Sequence, residues 1–226
     1  MKDHANVIYD PKDTTVTNQL FELEGALFDD AQVLLQQARK FHKGLEDFRQ
    51  RSRTDQFQLH TYLRTGTTVI FHFLESYLSG LAFDCLLHHH DELSGEDHDA
   101  LAEWDQKKKT SRYVAFERKL FQYPAIFAKC RRVTLDLSGC KPAHFLANDA
   151  KEIRDALTHP SPHMDRDDWT LKKTSLVTTI NLPLVESILN AAKDYVLVVE
   201  KVLFGNPEKT APWLFRSPSG NADQLY

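Results

Sequence analysis

The chain has 226 residues, of which 42% are hydrophobic and 27% charged, and its formal net charge is −4. That length suits one large domain, eight glycines argue against a loop-rich β-sandwich, and the mild acidity leaves any nucleic-acid binding to local basic patches. No apolar run approaches the roughly 18–20 residues that span a bilayer, and the amino terminus lacks the apolar core of a signal peptide, so a cytoplasmic protein with no membrane partner is expected.

Residues 1–15 read as an arm, followed by one amphipathic helix over 16 to about 53. Leu20, Leu23, Leu27, Leu34, Phe41, Leu45 and Phe48 recur in helical steps on it. Its end is basic, with Arg39, Lys40, Lys43, Arg49, Arg51 and Arg53, either a solvated face or a track for a phosphate backbone. Thr54 and Asp55 then offer N-caps for a central helix whose apolar stripe, Phe57 through Leu86, is too wide for a surface helix. Glu75 sits inside that stripe, and weak helix formers at 65–68 predict an interruption there.

The stretch "HHHDELSGEDHD" reads as a polar linker with Ser94 and Asp97 spaced as a capping box. A short helix with Leu101 and Trp104 is expected to run to Lys107–Lys109. A second, over about 111–122, is expected to stop at Pro124. "RRVTLDLSGC" breaks the helical pattern and suggests a short strand. Pro142 opens a helix that buries Phe145, Leu146, Ala150, Ile153 and Leu157. "WTLKKTSLVTTINL" reads as a small hairpin, and Asn181, Pro183 and Gly205 bracket a last long helix. Residues 206–226 read as a surface tail. The fold class is all-α: a bundle of about 5–6 helices with a minor β element, formed by one domain over 16–205. Cys85, Cys130 and Cys140 have no C-x-x-C spacing and read as reduced structural thiols.

The chemistry centres on "KEIRDALTHPSP", residues 151–162. In a helix, Asp155 and His159 are four apart and share a face, and Arg154 reaches toward the same side with a long side chain. A histidine in the last turn faces the negative end of the helix dipole, which favours its charged form. A neighbouring carboxylate does the same and orients the ring. These are the elements of a proton-exchanging group beside a guanidinium suited to phosphate. They are equally the elements of an ordinary helix ending with a solvated arginine.

Arg154, Asp155 and His159, an arginine followed directly by a polar residue with four residues between arginine and histidine, resemble the motif of the HEPN superfamily of helical-bundle proteins. The stretch "FHFLESYLSGLAF" is similar to that family's central helix, where an acidic residue neighbours the motif arginine; the resemblance assigns this place to Glu75. It spans about residues 56–204. The resemblance implies metal-independent cleavage of RNA in toxin–antitoxin or phage-defence settings, by a homodimer in which two copies of Arg154 and His159 meet. It also implies an antitoxin protein as a candidate partner. Some members of the family are inactive, which leaves a non-catalytic nucleotide-, RNA- or protein-binding module as the alternative.

No metal and no cofactor are expected. His88, His89, His90, Asp91 and His98 are adjacent or scattered rather than spaced as ligands, no Glu-x-x-His pair of the di-iron type occurs, and His72 with Glu75 makes only an isolated pair. The chain also has no glycine-rich phosphate loop, G-x-S-x-G or dinucleotide fingerprint.

Overall fold

The structure is a computed structural model that describes residues 14–46, 52–158 and 172–216. It is an all-α bundle with one minute β element. Its helices are α1 (Thr14–Glu46), α2 (Arg53–His88), α3 (Gly95–Leu101), α4 (Phe116–Cys130), α5 (Lys141–Phe145), α6 (Lys151–Thr158), α7 (Lys172–Thr179), α8 (Leu182–Phe204) and α9 (Pro207–Thr210).

α2 is the axis of the bundle. α1 lies along it, and α4, α6 and α8 pack on its other sides. On α1 the buried residues Phe28, Ala31, Leu35 and Ala38 keep three- and four-residue steps, the spacing that puts side chains on one helix face. The approach to α2 is close enough that a Cβ on Gly66 would stand 3.1 Å from Leu35 Cδ1, so this glycine is set by helix packing.

The expected interruption of α2 does not occur. The hydroxyls of Thr67 and Thr68 donate to the carbonyls of Leu63 and Arg64 at 2.8 and 3.1 Å, and burial on several sides outweighs the small propensity loss. The N-cap is Ser52, whose Oγ accepts from the Asp55 amide at 3.1 Å, rather than Thr54 or Asp55. By length and composition α2, alone among the described residues, is apolar enough to cross a membrane, contrary to the expectation for this chain, yet half of that stretch is buried inside the bundle. A core helix touched from several sides has the same composition as a spanning one.

Three other expectations are corrected. The helix of Leu101 does not reach Lys109. Asp105 Oδ1 accepts from the amides of Lys107 and Lys108, both at 3.0 Å, a side-chain turn that competes with helix. The chain then folds back as a two-stranded hairpin, β1 (Trp104–Asp105) against β2 (Thr110–Ser111). The β element is therefore here; "RRVTLDLSGC" forms turns with no strand, and Lys172–Thr179 of the supposed hairpin is helix α7. Thr178 and Thr179 hold α7 by donating to the Ser175 carbonyl at 3.0 and 2.8 Å, and its packing against α6 overrides the β propensity of its residues.

Pro124 does not stop α4. It lies inside the helix, where it removes the amide that would serve the Leu120 carbonyl. The buried Tyr195 hydroxyl of α8 donates to that carbonyl at 2.7 Å instead. α8 begins and ends as expected: Asn181 Oδ1 accepts from the Leu184 amide at 3.0 Å, and Gly205 takes a φ of 80° at its end. Ser94 caps α3 by accepting from the Asp97 amide.

Residues 206–216 are not a surface tail. Ala211, Trp213 and Leu214 are buried, with the Trp213 ring 5.6 Å from that of Phe28 and 5.3 Å from that of Phe73. Cys85 and Cys130 are free buried thiols with sulfurs 3.9 Å apart.

Candidate functional site

The segment carrying the motif is one helix in three parts, α5, a π-helical stretch at Leu146–Ala150, and α6. A π turn carries an extra residue and rotates the facing of the residues beyond it. Leu146, Ala147, Ala150, Ile153 and Ala156 go inward, which leaves Arg154 and Asp155 at the edge of the buried face. Phe145 and Leu157, expected inside, are half-buried.

Arg154 turns back to α2. Its Nη2 donates to Glu75 Oε1, and its Nη1 donates to Asp155 Oδ1 at 3.3 Å. The guanidinium carbon lies 5.3 Å from the centroid of the Phe116 ring, a cation–π placement. The side chain is only 18% exposed, while those of Glu75 and Asp155 are about a third exposed. Glu75 is therefore brought to Arg154 across 79 positions of sequence.

Asp155 faces backward along its helix as well as toward Arg154. Its Oδ2 receives Lys151 Nζ at 3.1 Å, and that same Nζ lies 3.8 Å from Glu117 Oε2 on α4. The hydrogen bond to Asp155 holds the Lys151 ammonium above its ordinary pKa, so it stays charged. His159 lies outside the described residues. The arrangement shared by Arg154, Asp155 and Glu75 is thus a network of two cations, Arg154 and Lys151, against three carboxylates, Glu75, Asp155 and Glu117.

Lys151, Glu117 and Phe116 were missed in the sequence. Lys151 and Asp155 are an i,i+4 pair, a readable signal. Glu117 and Phe116 arrive from α4, and no local pattern announces them.

Other candidates are dispersed. Arg39, from the basic run, is bonded through Nε to Glu186 on α8 at 2.6 Å. His88 pairs with Asp84 at 3.3 Å and His89 with Glu92 at 2.7 Å, while the rings of His90 and His98 stack edgewise at 5.2 Å. His72 is exposed. Among the described residues no three histidine, cysteine or acidic side chains converge in a way that would hold a metal ion.

The chain matches no known family model, no curated protein and no solved structure.

Proposed function

We propose that the protein is a metal-independent endoribonuclease of HEPN type, acting in the cytoplasm as a homodimer with His159 and Arg154 of both copies at one cleft. The observation that carries this reading is the bond from Arg154 to Glu75 of the central helix, beside Asp155 at the end of α6. A toxin or phage-defence role with an antitoxin partner is part of the same proposal.

The chemistry comes from the residue types. One His159 takes the proton of the ribose 2′-hydroxyl, whose oxygen attacks phosphorus. The 5′-oxygen leaves with a proton from the second His159, which is charged at that moment. Arg154 donates to the phosphoryl oxygens as charge builds on them. Glu75 and Phe116 act as positioning residues that fix the guanidinium, and Asp155 orients charge near the imidazole. The products are a 2′,3′-cyclic phosphate, or the monophosphate from its hydrolysis, and a free 5′-hydroxyl.

A second reading, a non-catalytic HEPN-like module that binds nucleotide, RNA or protein, has its own observation. The Arg154 guanidinium is already engaged by two carboxylates, and the network has one more carboxylate than cation. A phosphate docking there needs the added charge of His159.

The two readings separate on end-group chemistry and assembly. A labelled RNA incubated in excess chelator is expected to give 2′,3′-cyclic and 5′-hydroxyl ends, and an RNA with a single 2′-deoxy nucleotide at the cut position is expected to resist. Light scattering is expected to give a dimer. Cleavage that continues past the 2′-deoxy position contradicts the mechanism, and an intact dimer that cuts no RNA favours the binding module.

A further inference from the structure

A cavity of about 310 Å³ lies on another flank of α2, between α1, α8 and the segment around α9. Tyr77, which lines it, follows Glu75 by two positions, about 200° around the helix, so this cavity and the Arg154 network use opposite sides of α2. The Arg154 chemistry does not draw on it.

Its walls combine apolar surface with acid. Leu81, Phe204, Ala211 and Trp213 supply the apolar part, and three carboxyl groups, Glu24, Asp84 and Glu200, come from three different helices. None of its ten lining residues is basic. Glu24 and Glu200 are each only 4% exposed, which is rare for a glutamate without a cationic partner.

Each carboxyl is held differently. The Glu24 carboxyl lies against the Cα of Gly80, where a Cβ would collide with it. A side chain at position 80 would force the Glu24 carboxyl to shift. Glu200 Oε1 accepts from the Tyr77 hydroxyl at 2.9 Å, whereas Oε2 is buried and has no hydrogen-bond partner among the described residues. The Thr210 hydroxyl, which also lines the cavity, donates to the Asn206 carbonyl at 3.1 Å. Asp84 is met by His88 at 3.3 Å.

Glu24 has no hydrogen-bond or ion-pair partner among the described residues. A buried carboxyl without a partner costs free energy that a ligand cation would recover. Burial pushes the carboxyls of Glu24 and Glu200 above their ordinary pKa values, the state of acids that lack a counter-charge. At Asp84 it does the same against the opposing pull of His88, His89 and Arg131. At Glu200 the nearby Thr210 and Tyr77 hydroxyls offset that rise only in part. The geometry points to a binding site for a small organic cation: a primary ammonium on an aromatic or aliphatic body, with the ammonium on the Glu24 carboxyl and the body against Trp213 and Leu81. The volume admits a ligand of about ten heavy atoms. An aromatic wall beside carboxylates favours a cation over a neutral donor, through cation–π attraction and a charge-assisted hydrogen bond together.

The test uses the full-length protein with benzylamine and its neutral near-isostere, benzyl alcohol, titrated calorimetrically at mildly alkaline pH where the amine keeps its charge. Benzylamine is expected to bind about tenfold to a hundredfold tighter than the alcohol, the worth of one charge-assisted hydrogen bond. Glu24→Gln is expected to erase that difference. Comparing the two ligands on the unaltered protein keeps the test valid if the variant fails to fold, and neither titration depends on RNA cleavage. Equal affinity for amine and alcohol, or no saturable binding of either at millimolar concentration, overturns the assignment.

Discussion

The two flanks of α2 present carboxylates in opposite circumstances. On one side Glu75 meets the Arg154 guanidinium, with Asp155 and Lys151 close by. On the other, Glu24 and Glu200 are more deeply buried and face Tyr77, Gly80 and apolar walls, with no basic residue in the lining. Burial alone does not decide what a carboxylate does in this bundle; the partner does. A paired acid fixes a neighbour's position. An unpaired one gives up its charge or waits for a cation, because desolvation penalises only the ionised form.

The contrast breaks most visibly at Arg154. Arg154→Ala removes the charge that holds Glu75 and the packing over Phe116, and is expected to destabilise the protein by about 2 kcal/mol. Denaturant unfolding of Arg154→Ala, Glu75→Gln and the double variant forms a cycle, in which the pair should couple by about 1 kcal/mol or more. Strict additivity would mean that Glu75 does not hold the arginine.

The opposite flank predicts a pH effect of a particular sign. Burial, with help from the nearby Glu200 charge, raises the Glu24 carboxyl from 4.5 to about 8. The folded protein then holds a proton there that the unfolded chain has released. Its contribution to stability is complete below about pH 4.5 and is lost as pH rises through about 8. Unfolding free energies measured across that window should fall by about 1 kcal/mol per pH unit from this group. Glu24→Gln mimics the neutral acid and should be the more stable protein at the alkaline end, with a flatter profile. Some slope should persist, since Glu200 and Asp84 are raised too. A variant profile as steep as the parent's would remove Glu24 from this account.

The smallest effect belongs to the surface. Arg39 and Glu186 make a 2.6 Å ion pair, but the arginine side chain is half exposed, where water and salt screen the attraction. Arg39→Ala is expected to change the unfolding free energy by less than about 0.5 kcal/mol. A larger loss would show that exposed pairs in this bundle behave like the Arg154 network.

The helical frame was legible because it rests on periodicity. The extent of α8, the caps at Ser94 and Asn181 and the stop at Gly205 are local patterns with local causes. The stripe read on α1, by contrast, missed its buried face, which is Phe28, Ala31, Leu35 and Ala38, while Leu23 is exposed. The failures were decided at a distance or by single side chains. Pro124 passes through α4 because Tyr195, 71 positions later in sequence, supplies the missing donor. The hairpin after Trp104 depends on Asp105 turning onto two lysine amides. Trp213 is buried because α1 and α2 leave a slot that a proline- and glycine-punctuated segment can fill. Of the candidate site, the proximity of Glu75 to Arg154 was expected from resemblance, and Lys151 was readable from its i,i+4 spacing with Asp155. The acid cavity was not legible, because its three carboxyls lie on three helices and only packing brings them together.

The central claim, that Arg154 and His159 form a ribonuclease site, is tested most directly by cleavage of a labelled RNA in excess chelator by the wild type and by His159→Ala, purified in parallel. The account predicts that the wild type cuts and that the variant is slower by roughly 10²–10⁴-fold, the worth of a proton-transfer group. Equal rates for the two proteins would contradict it.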